Sequence, residues 1–294
     1  MSSTDPINYA HAEGIFKSEL AGAIIFAVAY VPLFLYNVFR SIRRPTYVLF
    51  MLSLFCIIRI TAFILRAIIA TSAPAGENLG LVIAAGVIYS VGFFGLLYSA
   101  YTLVLDREQI LGYEDTNVGP LAIIRRVMRM RHLIRLVLTA AVVLGIVGGV
   151  KASDSDPSEQ STGNSLRHGS VYIFLVIAIL LVFLTVDLAW EEHKAGTRSA
   201  VGELGNRYAL FLLTIIALMC LIREVFFVAT TSNTKQQNNA DLYYPLAALP
   251  ELIAVCLFSV PGLVPSRKEI AKREMDDPEW AELTRRRNNS SSLR

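Results

Sequence analysis

Charge is scarce in this sequence. Asp, Glu, Lys and Arg make up 17% of its 294 residues, against about 25% in an ordinary soluble chain. Hydrophobic residues account for 54%, more apolar surface than a soluble core can hide, so an ordinary soluble domain is excluded. Cysteine is scarce too. Cys56, Cys220 and Cys256 each lie within an apolar run, where a thiol behaves as a small buried hydrophobe. No external disulfide framework can be built from them. The four histidines, His11, His132, His168 and His193, fall outside the apolar runs, and no pair has the spacing of a metal site on one helix face. There is no Ser beside a base, no P-loop and no Gly-rich phosphate cradle. No catalytic residue, cofactor or metal is expected. Residues 1–17 lack the basic start, short apolar core and small-residue cleavage site of a signal peptide, so the first apolar run is expected to act as the insertion signal.

What is present is a series of long apolar runs divided by short polar segments, the pattern of repeated bilayer crossing. A hydrocarbon core of about 30 Å needs about 20 helical residues. Seven runs meet or approach that length: Leu20 to Phe39, Tyr47 to Ala70, Leu79 to Leu105, Leu133 to Val150, Ser170 to Trp190, Tyr208 to Thr230 and Tyr243 to Val264. The expected fold is all-α, a polytopic seven-transmembrane-helix bundle. Residues 1–19 form a segment on one side, 20–264 the bundle and 265–294 a basic tail.

Lys and Arg set the orientation, because they are retained on the cytoplasmic side. The N-terminal segment and the even-numbered connections carry 4 of them, and the odd-numbered connections with the tail carry 19. The expectation is N-terminus outside and C-terminus cytosolic. The glycosylation sequons at Asn288 and Asn289 then fall in the cytosolic tail, out of reach of the glycosylation machinery. Ala152 to His168, rich in Ser, Asp and Gly, is expected to be an exposed flexible external loop. The plasma membrane or another secretory-pathway membrane is the expected location.

Ionisable residues within spans are costly and usually face the bundle interior in pairs. Here they are Arg59, Arg66, Asp187, Arg223, Glu224 and Glu251. Counted from each cytosolic helix end, Arg59 lies about 18 Å up its span, Glu251 about 20 Å, and Arg223 and Glu224 about 22 to 24 Å. These four share a layer slightly outside the midplane. Arg223 and Glu224 are adjacent and diverge by about 100° around the helix, so separate partners are expected. Arg59 paired with Glu251 or Glu224, and Arg223 with the remaining acid, would leave the layer neutral. Two readings stay open, a packing device or a polar ligand site. Asp187 and Arg66 lie near span ends and can reach an interface.

Pro32, Pro250 and Pro261 interrupt spans, and each frees a carbonyl that a neighbour must satisfy. Pro250 precedes Glu251, where a kink would aim the carboxylate inward. Tyr89, Tyr98 and Tyr101 offer hydroxyls to a cavity, whereas Tyr243 and Tyr244 are expected to be interfacial anchors. The third cytosolic connection carries Arg125, Arg126, Arg129 and Arg131, a basic run expected to adsorb to anionic membrane lipid or dock a cytosolic partner. Arg285 to Arg287 beside Ser290 to Ser292 is either a solvated tail or a phosphorylation-controlled electrostatic switch. No nucleic-acid partner is expected, and the seventh span has no lysine for a retinal Schiff base.

Four stretches carry a family resemblance: Ala29-Tyr30-Val31-Pro32, Cys56-Ile57-Ile58-Arg59, Leu221-Ile222-Arg223-Glu224, and Tyr243-Tyr244-Pro245 through Pro261-Gly262-Leu263-Val264-Pro265. With the seven-helix layout, they resemble the fungal lipid-translocating exporters associated with aminocholesterol and sphingoid-base resistance, and related fungal membrane proteins of unknown function. The sixth span departs from the exporter pattern, in which an aromatic residue or Arg separates the Arg from the Glu. The resemblance implies a protein that binds or translocates an amphipathic lipid-like molecule, with Arg59, Arg223, Glu224 and Glu251 as its outer-half polar site. The alternative is a heptahelical receptor that couples through its basic third cytosolic loop and tail.

Overall fold

The computed structural model describes residues 8–111, 120–154, 156–195 and 204–265. Among the described residues there is no strand, and seven helices are long and apolar enough to cross a membrane. They are α1 (Leu20–Arg43), α2 (Tyr47–Thr71), α3 (Leu79–Leu111), α4 (Arg131–Lys151), α5 (Pro157–Ala195), α6 (Ala209–Thr230) and α7 (Ala240–Phe258). The chain is an all-α, multi-pass membrane protein. The basic tail with its sequons and serines lies outside the described residues.

Each helix packs on the next in sequence, α7 returns to α1, and α3 also touches α6, which places α3 inside the ring. The core is one cluster that includes Tyr30, Phe55, Phe63, Phe93, Tyr101 and Phe258. The outer surface is apolar as well. Along α1, Ile25, Val28, Leu35, Phe39 and Ile42 are exposed, which in lipid removes no apolar surface from its preferred solvent. Cys56 and Cys220 are buried as expected, but Cys256 is exposed on this outer surface. Hydropathy alone cannot separate a lipid-facing apolar position from a core one.

The expected loop at Ala152 to His168 is corrected. Pro157 opens α5, which runs 39 residues. Asp156 caps it, its Oδ1 accepting from the Ser158 backbone N–H at 2.9 Å. Its Ser- and Gly-rich first turns were misleading because they contribute close packing and not hydropathy. A Cβ on Gly163 would lie 2.2 Å from the Ala152 nitrogen, and one on Gly148 would lie 2.7 Å from the Arg167 nitrogen. The ends of α4 and α5 therefore meet backbone to backbone.

The seventh span is also corrected: it starts at Ala240 and ends at Phe258. Tyr244 to Ala248 form a π-helical turn just before the buried Pro250. Such a turn holds one extra residue, which rotates everything beyond it by about 100°. Pro32 is accommodated within a continuous α1. Pro261 lies beyond the helix end, in a turn where Gly262 adopts φ +85°.

Opposite the N-terminal face, arginines tie the helix ends together. Arg107 Nη2 donates to the carbonyls of Gly262 and Leu263 at 2.6 and 2.7 Å, and its Nη1 donates to Asn206 Oδ1 at 2.5 Å. The short helix Pro120–Arg129 is held by the Tyr101 hydroxyl, which donates to the Met128 carbonyl. Arg125 pairs with Asp187 and Glu191, Arg129 with Glu108 at 2.9 Å, and Arg131 with Asp106 at 2.6 Å. Burial alone would lower the Arg125 pKa, but its bonds to Glu191 and Asp187 prevail and raise it. Of the four arginines in the basic run, Arg126 is exposed and has no ion pair among the described residues.

Candidate functional site

Four helices meet at Glu251. Arg59 Nη2 on α2 donates to Glu251 Oε1 at 2.6 Å, and Arg223 Nε on α6 donates to the same oxygen at 3.1 Å. The Tyr89 hydroxyl on α3 reaches Glu251 Oε2 at 3.4 Å. Arg59 Nη1 also donates to the Tyr89 carbonyl at 2.6 Å. Arg223 Nη1 closes on its neighbour Glu224. Both expected pairs are present, Arg59 with Glu251 and Arg223 with the remaining acid; the correction is that the second lies within α6, because a long guanidinium stem curls across the 100° that divides adjacent positions.

Aromatic rings complete the layer. The Arg59 guanidinium lies 3.9 Å from the Tyr89 centroid, and that of Arg223 lies 3.9 Å from Phe227 and 4.1 Å from Phe93. Cations over ring faces gain most when desolvated, as here. Two arginines and two glutamates make a neutral, buried cluster, the balance inferred from their helix depths.

A cavity of about 630 Å³ descends from the N-terminal face to this layer. Its base is Tyr89, Arg223, Glu224 and Phe227. Its walls are mostly apolar or small, with Val82 and Gly86 from α3, Gly145 and Gly149 from α4, and Phe174 from α5. Its mouth is polar, with Glu13, Asn164, Arg167, His168 and Gln237. The four expected residues thus divide. Arg223 and Glu224 line the cavity, while Arg59 and Glu251 stand behind them in full contact with protein.

Two lining residues keep buried oxygens without a hydrogen-bond partner, Oε2 of Glu224 and Oγ1 of Thr231. Buried polar atoms are usually satisfied, so these two mark the wall as chemically incomplete.

Hydrogen bonds among side chains and backbone tie the mouth together. Arg66, expected near an interface, is buried and donates to Glu19 Oε2 at 2.5 Å and to the Asn238 carbonyl at 2.8 Å. Asn238 Nδ2 donates to the Glu13 carbonyl at 3.0 Å. Arg167 Nη2 donates to Gln237 Oε1 at 2.5 Å. Burial holds the Glu13 carboxyl above its ordinary pKa, with the Arg167 guanidinium pulling it down. Tyr243 is not the expected interfacial anchor. It is buried, lines the cavity and lies under the Arg66 guanidinium at 4.0 Å. Glu13, Glu19, Arg167 and Thr231 were not singled out as site residues, because all four fall outside the expected spans, in stretches that read as loop chemistry.

Among the described residues no group of three or more His, Cys, Asp or Glu side chains is placed to hold a metal ion. The site offers hydrogen bonds, ring faces and an apolar shaft. No curated protein and no solved structure matches the chain. A family model does match, over residues 20–268, spanning all seven helices and the whole polar layer. The chain belongs to the family described as a domain of unknown function, DUF7702.

Proposed function

We propose that the protein binds or moves an amphipathic, lipid-like molecule in the cavity between its N-terminal face and the Arg59, Arg223, Glu224 and Glu251 layer. The observation that carries the reading is the cavity's layout: about 630 Å³, with apolar flanks, ending on a buried polar base inside a seven-helix bundle. That size and that mixture of apolar walls with a few convergent polar groups are those of ligand sites generally. The N-terminal face, poor in Lys and Arg, is the outer one in this proposal, and the membrane is the plasma membrane or another secretory-pathway membrane. A receptor would use the basic third connection as its coupling surface, but Arg125, Arg129 and Arg131 are engaged within the molecule.

The test is native mass spectrometry of the chain extracted without added lipid. A stoichiometric amphipath is expected, absent from a Gly86→Leu variant. A Cβ on Gly86 has nothing within 4 Å, so the larger side chain starts out in open shaft and occupies ligand space. Bound amphipath unchanged by Gly86→Leu, or none bound to either protein, overturns the proposal.

A further inference from the structure

We infer that the molecule held in the cavity is an uncharged amphipath that enters hydroxyl first, its hydroxyl hydrogen-bonded at Glu224. The inference rests on the binding proposal above and adds the chemical class of the ligand.

The argument begins with charge. Arg59 and Arg223 supply two positive charges at the base, and Glu224 and Glu251 supply two negative ones. All four are buried, where an added unbalanced charge meets a steep desolvation cost. An incoming ammonium or carboxylate breaks the balance; a hydroxyl does not.

Hydrogen bonding then sets the polarity of the contact. Glu224 is fully buried, and its Oε1 accepts from Arg223. Its Oε2 accepts nothing among the described residues. The unsatisfied group at the base is thus an acceptor, itself almost closed off from the cavity, and a ligand donor meets it with a shift of the Glu224 side chain. A carboxylate has none, while a hydroxyl donates one and keeps its lone pairs for Arg223 alongside.

The shaft sets the body of the ligand. Above Glu224 the walls present Val82, Gly86, Gly149 and Phe174 with the hydroxyls of Ser90 and Ser170, and charge returns only with Arg66, Glu13 and Arg167 toward the mouth. Thr231 caps the end of the same helix, seven residues beyond Glu224 and about 10 Å nearer the N-terminal face. Its unpartnered hydroxyl marks where the wall turns polar again. An apolar body fits between these levels.

The test uses three probes with one chain and different ends: tritiated oleyl alcohol, oleylamine and oleic acid. Each is added at equal mole fraction to phosphatidylcholine nanodiscs holding the full chain, and binding is read by scintillation proximity. Oleyl alcohol is expected to bind tightest, by about tenfold, the worth of one well-made buried hydrogen bond. Gly86→Leu should abolish its binding, and Thr231→Val, at the outer level, should leave the order of the three probes unchanged. If all three bind equally and Gly86→Leu removes them, the cavity binds amphipaths but the hydroxyl assignment fails. Preference for oleylamine or oleic acid also overturns it. If none binds, or Gly86→Leu changes nothing, the binding proposal falls and this inference with it.

Discussion

Arg59 and Glu251, 192 positions apart, are joined at 2.6 Å with side chains 0% and 1% exposed. The bond is asymmetric, because Glu251 also serves Arg223 while Arg59 has no second carboxylate in contact among the described residues. Glu251→Leu strands Arg59 and leaves Arg223 with Glu224 alone, and should cost about 3–5 kcal/mol, the usual result of leaving a buried charge alone. Arg59→Leu leaves Glu251 with Arg223 and Tyr89 and should cost less. The double variant should recover much of the Glu251→Leu loss, since apolar replacement of both partners is often tolerated. Melting temperatures in detergent order the three, and equal losses in both single variants would show that the sharing carries no energy.

Glycine separates packing from cavity. At Gly163 a Cβ would lie 2.2 Å from the Ala152 nitrogen and 2.6 Å from the Lys151 carbonyl carbon, and backbone cannot swing aside. Gly163→Ala should separate α4 from α5 and destabilise by about 1–3 kcal/mol, as overpacking does. Gly86→Ala meets nothing within 4 Å and should be neutral or stabilising by up to about 1 kcal/mol through helix propensity. Thermal unfolding of the pair checks both signs.

The layer was legible in the sequence because helix rise is fixed. Counting residues from the expected span ends places Arg59, Arg223, Glu224 and Glu251 at one height, and they do meet, although α7 ends at Phe258 and not at the Val264 from which Glu251 was counted. Azimuth was not legible. Which face of α7 carries Glu251 depends on a π-helical turn at Tyr244 to Ala248 that no periodicity announces. Tyr243 shows the same limit: a Tyr near a span end reads as an interfacial anchor, and only tertiary contact with Tyr89 and Arg66 makes it a cavity residue. The start of α5 was missed for a different reason. Gly148 and Gly163 stabilise the α4–α5 contact by letting backbones approach, which a hydropathy window cannot register.

Glu13 gives the mouth a pH dependence. Its pKa is raised above the ordinary 4.5 by burial, against the pull of Arg167, so the folded chain binds this proton more tightly than the unfolded chain does. The contribution is fully present below pH 4.5 and is lost as pH rises through the folded-state value. Glu13→Gln, which cannot ionise, should match the wild type near about pH 4 and be the more stable protein at about pH 7. Melting temperature against pH for the two proteins checks this. A gap that widens toward acid would reverse the sign.

Orientation is tested with tags. With Lys and Arg divided 19 to 4 between the two faces, a tag before Met1 should be accessible on intact cells. A tag after Arg294 should need permeabilisation. Antibody labelling of the C-terminal tag without permeabilisation would invert the bundle and turn the cavity mouth toward the cytosol.

Arg125 and Arg126 are neighbours with opposite duties. Arg125 is buried between Asp187 and Glu191, two acids one turn apart on α5. Arg125→Ala leaves those acids facing each other over a half-buried gap, which should cost about 1–2 kcal/mol, between an exposed pair and a fully buried one. Arg126 is exposed, and Arg126→Ala should leave thermal stability unchanged within about 0.5 kcal/mol, as for surface changes generally. Arg126 is exposed and, unlike Arg125, Arg129 and Arg131, has no ion pair among the described residues, so its charge is open to lipid, and a juxtamembrane cation contributes about 1 kcal/mol to binding an anionic surface. A peptide of residues 120–132 that carries Arg126→Ala should therefore bind phosphatidylserine vesicles about fivefold more weakly than the natural peptide. In the whole chain the same change should leave the Arg125 contacts, and hence the melting temperature, where they were. A large stability loss from Arg126→Ala would mean that its side chain holds the helix Pro120–Arg129 in place and is not free for lipid.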